Sequence, residues 1–185
     1  LAIPASELGK HIGASASHRR RDQPSARRPT PRCPDAWIAA IGTGGTLAGV
    51  YAALAQQNQD LRVVGCTPRE LPFGTMEPPN GTARFAGAGG FGFGFRQPFV
   101  SLIPYEVPFQ TVSHEESLKA MFRFFEETGI PIGGSAAANW IVACNVASEL
   151  DKEASVVTIF PDAGSDADRE RGRQLLDNER QTTRS

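Results

Sequence analysis

From Ala36 to Phe160 the chain alternates between two hydrophobic periods. Four short segments, Trp37–Ile41, Leu61–Cys66, Glu106–Val112 and Ser155–Phe160, have the length and β-branched or apolar content of buried strands. Between them lie helical patterns. Leu47, Val50, Tyr51 and Leu54 recur at helical spacing over Leu47–Gln57, and Leu118, Met121, Phe122 and Phe125 do so after Ser113, where Glu116 completes a capping-box pattern. Gly129 and Pro131 stop that helix, and a further one is expected over Ala136–Leu150 with Ser135 placed to cap it. Strand, glycine turn, helix and strand from Trp37 to Cys66 make a βαβ unit, so the expected architecture is α/β with a parallel sheet.

Charge divides the chain. Residues 1–34 hold seven basic and two acidic side chains and five prolines, a net charge of +5, against −6 for the remainder of the 185-residue chain. This predicts a disordered basic arm over 1–34, an α/β body over 35–166 and a charged helix and tail over 167–185. The arm lacks the aromatics that interleave with basic residues in a stacking platform, which argues against nucleic acid. No apolar run approaches the roughly 20 residues of a membrane helix, and no secretory signal is visible, so a cytoplasmic protein without membrane attachment is expected. Cys33, Cys66 and Cys144 are too widely spaced for a zinc ligand set, and His11, His18 and His114 form no cluster with them, so no metal site is expected.

The chemistry is expected at the carboxyl ends of the strands, where glycine-rich turns leave two of them. After Ile41 come Gly42, Thr43, Gly44, Gly45 and Thr46. Bare backbone amides, two hydroxyls and a helix N-terminus there suit a phosphate; a tight βα connection with no ligand is the plainer alternative. No lysine follows as a P-loop requires, and Leu47 stands where a dinucleotide fingerprint needs its third glycine. Gly87, Gly89 and Gly92 spell G-x-G-x-x-G, but no strand precedes them. After Phe160 come Pro161, Asp162, Ala163, Gly164 and Ser165, where Asp162 either caps the following helix or meets a ligand.

Ile41–Val50 resembles the phosphate-binding loop of the fold type II pyridoxal-phosphate enzymes, the cysteine synthase and cystathionine β-synthase group. Arg62–Cys66, Thr111–Glu116, Glu127–Ala136 and Val156–Gly164 resemble that family's later segments in the same order. The resemblance covers about Asp35 to Asp166 and implies the three-layer parallel-sheet core of the family, incomplete here. It places the phosphate of pyridoxal phosphate on Gly42, Thr43, Gly44, Gly45 and Thr46, and the substrate-side glycine loop at Gly89, Gly90, Gly92 and Gly94. It implies β-replacement on O-acetylserine or a related serine derivative, and a homodimer.

Two departures accompany it. The family's Schiff-base lysine precedes the phosphate loop, whereas the lysines here are Lys10, Lys119 and Lys152, none in that context. No catalytic residue is therefore assigned, covalent attachment of the cofactor is not expected, and a truncated, inactive form of such an enzyme is. Alternatives are a non-catalytic relative that binds a phosphate-bearing ligand or a partner, and a serine or threonine dehydratase or diaminopropionate synthase of the same fold. The second departure is Ala163, where many members place a hydroxyl facing the ring nitrogen; a one-residue shift would bring Ser165 there instead.

Overall fold

The computed structural model describes residues 2–4, 33–70 and 98–183. Five strands form one sheet in the order β1-β5-β2-β3-β4: β1 Ala2–Pro4, β2 Ala36–Ala40, β3 Arg62–Pro68, β4 Phe109–Val112 and β5 Ser155–Thr158. The four strands from β2 to β5 run parallel, and β1 pairs antiparallel with β5. Residues 2–4 thus belong to the sheet, and residues 5–32, most of the basic arm, lie outside the described residues.

Alternation along the strands sorts the core into two layers. Trp37, Ala39, Ile41 and Val63 face helix α1, Gly45–Leu54, through Leu47 and Ala48, with Ile103 and Val107 closing that side. The buried Trp37 indole donates to the Leu47 carbonyl at 3.0 Å, satisfying its polar atom and tying β2 to α1. On the other face Ala36, Ile38, Val64, Cys66 and Val156 meet helix α3, Gly134–Ser148, through Ala138, Val142 and Val146. Ala138, Ala143 and Ala147 on that face let α3 lie close to the sheet, while Ala136 and Ala137 meet helix α2, His114–Thr128.

Helix α2 packs on α3, and helix α4, Asp166–Thr182, packs on α2. The capping box at the start of α2 is present: Glu116 N–H donates to the Ser113 hydroxyl, and Ser113 N–H to the Glu116 carboxylate at 2.7 Å. The buried stripe of α2 is Ser117, Leu118, Ala120, Met121 and Phe124, while Phe122 and Phe125 are half-buried. The apolar period found the helix but not the angle of its inner face. That angle is set by Phe124, which stacks edge-on against both Trp140 and Phe160. No helix among the described residues is long and apolar enough to cross a membrane.

Candidate functional site

All four parallel strands end at one edge of the sheet, and β2 and β5 are neighbours there. The turn after β2 and the turn after β5 therefore leave the sheet side by side. The strand order that brings residues 42–46 next to residues 159–165 was not readable from local pattern.

The first turn is built open. Gly44 is the N-cap residue of α1 with φ of +85°, a left-handed conformation that side chains rarely adopt. A methyl group there would stand 2.7 Å from Val100 Cγ2 and 3.1 Å from the Val100 nitrogen, because the short helix Pro98–Leu102 packs against the turn. No side chain caps α1 and its first turn carries no acid. Thr43 Oγ1 accepts from Gly45 N–H at 3.3 Å, and Ala48 N–H donates to the Gly44 carbonyl at 3.0 Å. The amides of Thr46 and Leu47 belong to the first turn, where a helix supplies no acceptor of its own. Thr43 and Thr46 are exposed. Uncapped amides, the positive end of a helix and two accessible hydroxyls are the donor set of a phosphate site.

The second turn is built closed. Asp162 does not cap the following helix; it turns back onto the N-terminus of α3. Its carbonyl accepts from Gly133 N–H at 2.9 Å, one carboxylate oxygen accepts from Gly164 N–H at 2.9 Å, and the other from the Ser135 hydroxyl at 3.4 Å. Ser135, expected as the N-cap of α3, lies inside its first turn, and Gly133 holds the cap position. The cap of α4 is Ser165: its hydroxyl accepts from Asp168 N–H at 3.1 Å and donates to the Asp168 carboxylate at 2.7 Å. The single proton of that hydroxyl is thereby committed to Asp168. Ala163 is exposed, and its carbonyl accepts from Arg169 at 3.4 Å. Upstream, the buried Asn139 amide donates to the Ile159 carbonyl at 2.9 Å.

Neither described lysine reaches this edge. Lys119 lies on α2 with little of its side chain exposed, ion-paired to Glu115 and Glu179. Partial burial works against its charge, but the hydrogen bonds it donates to the two carboxylates prevail and hold it above the ordinary lysine value, so it stays an ammonium. It lines a cleft of about 710 Å³ with Arg123, Trp140, Ile141 and Cys144, to which neither turn contributes. Lys152 follows α3 at the start of β5, the opposite end of the sheet. Burial raises both Cys66 and Cys144, the latter to about 12 with Glu127 adding to it, so these thiols stay protonated and unreactive near neutral pH. Among the described residues no group of three or more His, Cys, Asp or Glu is gathered for a metal ion. Lys10 and the glycines at 89, 90, 92 and 94 lie outside the described residues.

Residues 27–162 match the family described as pyridoxal-phosphate dependent enzyme. The chain belongs to that family. It is similar to a cysteine synthase of Helicobacter pylori, 30% identical over 126 residues that cover 68% of this chain and 39% of the relative. A cysteine synthase of Staphylococcus aureus is 31% identical over 130 residues, covering 70% and 40%. Among solved structures, an O-acetylserine dependent cystathionine β-synthase of Helicobacter pylori superposes with a TM-score of 0.63 at 27% identity, over 72% of this chain and 42% of that one. The chain thus spans about two fifths of the length of the relatives it matches. The parallel α/β core is that of the fold type II pyridoxal-phosphate enzymes, and pyridoxal phosphate is the cofactor of the family. The residues present fit the phosphate end of that group, because the open N-terminus of α1 offers donors with no internal acceptor. They supply no lysine for covalent attachment among the described residues.

Proposed function

We propose that this chain is the phosphate-holding part of a cysteine-synthase-like enzyme that carries out β-replacement on O-acetylserine or a related serine derivative. The observation that carries the reading is the pairing, at one sheet edge, of an uncapped glycine turn after β2 with a fixed turn after β5. Gly42, Thr43, Gly44, Gly45 and Thr46 hold the phosphate, and Ala163 stands beside the ring. When bound, the cofactor supplies the electron sink for chemistry at the amino-acid carbons; this chain supplies grip and orientation. Substrate, a homodimeric assembly and a cytoplasmic place belong to the whole enzyme in this reading.

By itself the chain binds the cofactor without turning over substrate. Proton transfer at the substrate α-carbon needs a base within hydrogen-bond reach, and the described lysines are either locked in ion pairs or at the wrong end of the sheet. The same observation favours a second reading, a non-catalytic relative that keeps the anion loop for a phosphate-bearing ligand.

The test is to mix the purified chain with pyridoxal phosphate, reduce with borohydride and map adducts by peptide mass spectrometry, with Gly44→Asp as control. The expected result is reversible binding that the variant loses, with no lysine adduct. A single adduct at Lys10, Lys119 or Lys152 that disappears in the variant would overturn the inactivity. Binding that the variant leaves unchanged would overturn the site. Cysteine formation from O-acetylserine and sulfide after addition of a lysine-bearing N-terminal half from a relative separates the enzyme fragment from the non-catalytic relative.

A further inference from the structure

We infer that Asp162 is a positioning residue: it makes no contact with ligand, yet its lock on the N-terminus of α3 sets where the ring-side backbone at Ala163 and Gly164 stands. The inference rests on the cofactor reading above and adds a residue to it. Three polar anchors tie residues 159–165 to helices rather than to the neighbouring glycine turn. Asn139, 1% exposed, holds the Ile159 carbonyl from the body of α3. Asp162 holds Gly133 and Ser135 at the start of α3 through its carbonyl and carboxylate. Arg169 reaches back from α4 to the Ala163 carbonyl, its guanidinium 5.1 Å above the Phe125 ring and ion-paired to Asp166.

Asp162 is the central anchor because it also folds the turn on itself, accepting from Gly164 N–H two residues on. The fit at Gly133 is tight. A methyl group there would overlap the carboxylate, standing 2.5 Å from the Asp162 carboxyl carbon. The backbone of Gly133, with φ of −83° and ψ of 175°, is open to any residue. The space at position 133 is therefore limited by the neighbouring carboxylate and not by the backbone dihedrals. It follows that Gly133→Ala displaces Asp162, and that the same substitution is harmless once the carboxylate is gone.

The experiment uses the 185-residue chain and two probes measured by calorimetry: inorganic phosphate, which needs only the glycine turn, and pyridoxamine 5′-phosphate, which adds the ring but forms no imine with lysine. Gly133→Ala and Asp162→Ala each weaken pyridoxamine phosphate by about tenfold, since small misplacements of positioning groups are costly. Inorganic phosphate stays within about twofold in both, which also shows that the variants are folded. The double variant is no weaker than Asp162→Ala alone, and Asp162→Asn, which keeps an acceptor for Gly164 and a partner for Ser135, recovers most of the affinity. Unchanged pyridoxamine phosphate binding in both single variants, equal loss of both probes, or additive effects in the double variant would overturn the positioning role. A wild-type chain that binds neither probe would overturn the cofactor site itself and this inference with it.

Discussion

Helices α1 and α3 begin in the same way in sequence and end up with opposite electrostatics. Each follows a run of glycines, Gly42-Thr43-Gly44-Gly45 and Gly133-Gly134, each has glycine as its N-cap, and neither N-cap supplies a side-chain acceptor. At α3 the turn after β5 brings Asp162 to the helix start, its carbonyl accepting from Gly133 N–H and its carboxylate from the Ser135 hydroxyl, so a negative charge of the chain itself stands there. At α1 no acid stands in the first turn and no side chain caps it. A helix N-terminus attracts negative charge in either case. What separates a ligand site from a structural cap is whether the chain supplies the anion itself. Glycine serves different ends at the two places: Gly44 for a left-handed turn pressed against Val100, Gly133 for clearance from a carboxylate.

The largest way to break this contrast is Gly44→Asp, which turns the open terminus into a closed one. A non-glycine residue in the left-handed region costs about 1–2 kcal/mol, and contact with Val100 adds to it, for an expected loss near 3 kcal/mol in total. Urea denaturation measures that loss. Calorimetry with inorganic phosphate should show no binding, because the introduced carboxylate occupies the helix end and repels the ligand. Phosphate binding at wild-type affinity in a folded Gly44→Asp chain would remove the distinction between the two helices.

Ser165→Ala is the next in size and separates positions 163 and 165 of the turn after β5. The Ser165 hydroxyl serves α4 through Asp168, so its loss costs about 1 kcal/mol, the usual worth of an N-cap. A urea midpoint reads this. Pyridoxamine phosphate affinity should not move, since the hydroxyl's one proton is already given to Asp168 and none is left to donate to a ring nitrogen. This contrast was only partly legible in the sequence. The glycine run after Ile41 predicted an anion turn because a strand precedes it and helical period follows, both local properties. The destinations of Asp162 and of the Ser165 hydroxyl depended on where α3 and α4 begin in space, and α3 begins in the crossover before β5, some thirty residues earlier. Ser135 misled in the same way: as a residue it is a good cap, yet the chain enters α3 two positions before it and its hydroxyl serves Asp162 instead. Likewise Asn139 gave no signal in an alanine-rich helix, although its amide holds Ile159.

Helix α2 provides an intermediate case, closed by an acid of its own first turn. Partial burial works against ionisation of Glu116, but the Ser113 amide and hydroxyl and the Arg69 guanidinium hold its carboxyl below the ordinary value. A depressed carboxylate contributes stability that is present above its unfolded pKa, about 4.3, and is lost as pH falls through the lower folded value. Because the pair with Arg69 is largely exposed, Glu116→Gln should cost only about 0.5 kcal/mol at neutral pH. The difference between wild type and variant in urea should narrow as pH falls below about 4 and vanish once Glu116 is protonated. A constant difference across that range would assign the effect to hydrogen bonding without charge.

The smallest expected change in stability is that of Ala163→Ser. The side chain at 163 is exposed and its backbone has no positive φ, so a hydroxyl there should alter the urea midpoint by less than about 0.5 kcal/mol. Its effect on ligand should be selective: stronger binding of pyridoxamine phosphate by about threefold, the worth of one modest hydrogen bond, with inorganic phosphate unchanged. Serine has both a donor and an acceptor to offer a ring nitrogen, which alanine lacks. Equal affinity in Ala163→Ser and wild type, together with a weaker one in Ser165→Ala, would reverse the register of the turn. It would require the Ser165 hydroxyl to leave Asp168 when ligand binds, which α4 would report as a loss of its N-terminal cap. The pair of variants thus asks one question from two sides: whether Asp162, by locking the turn to α3, fixes which residue meets the ring before the ring arrives.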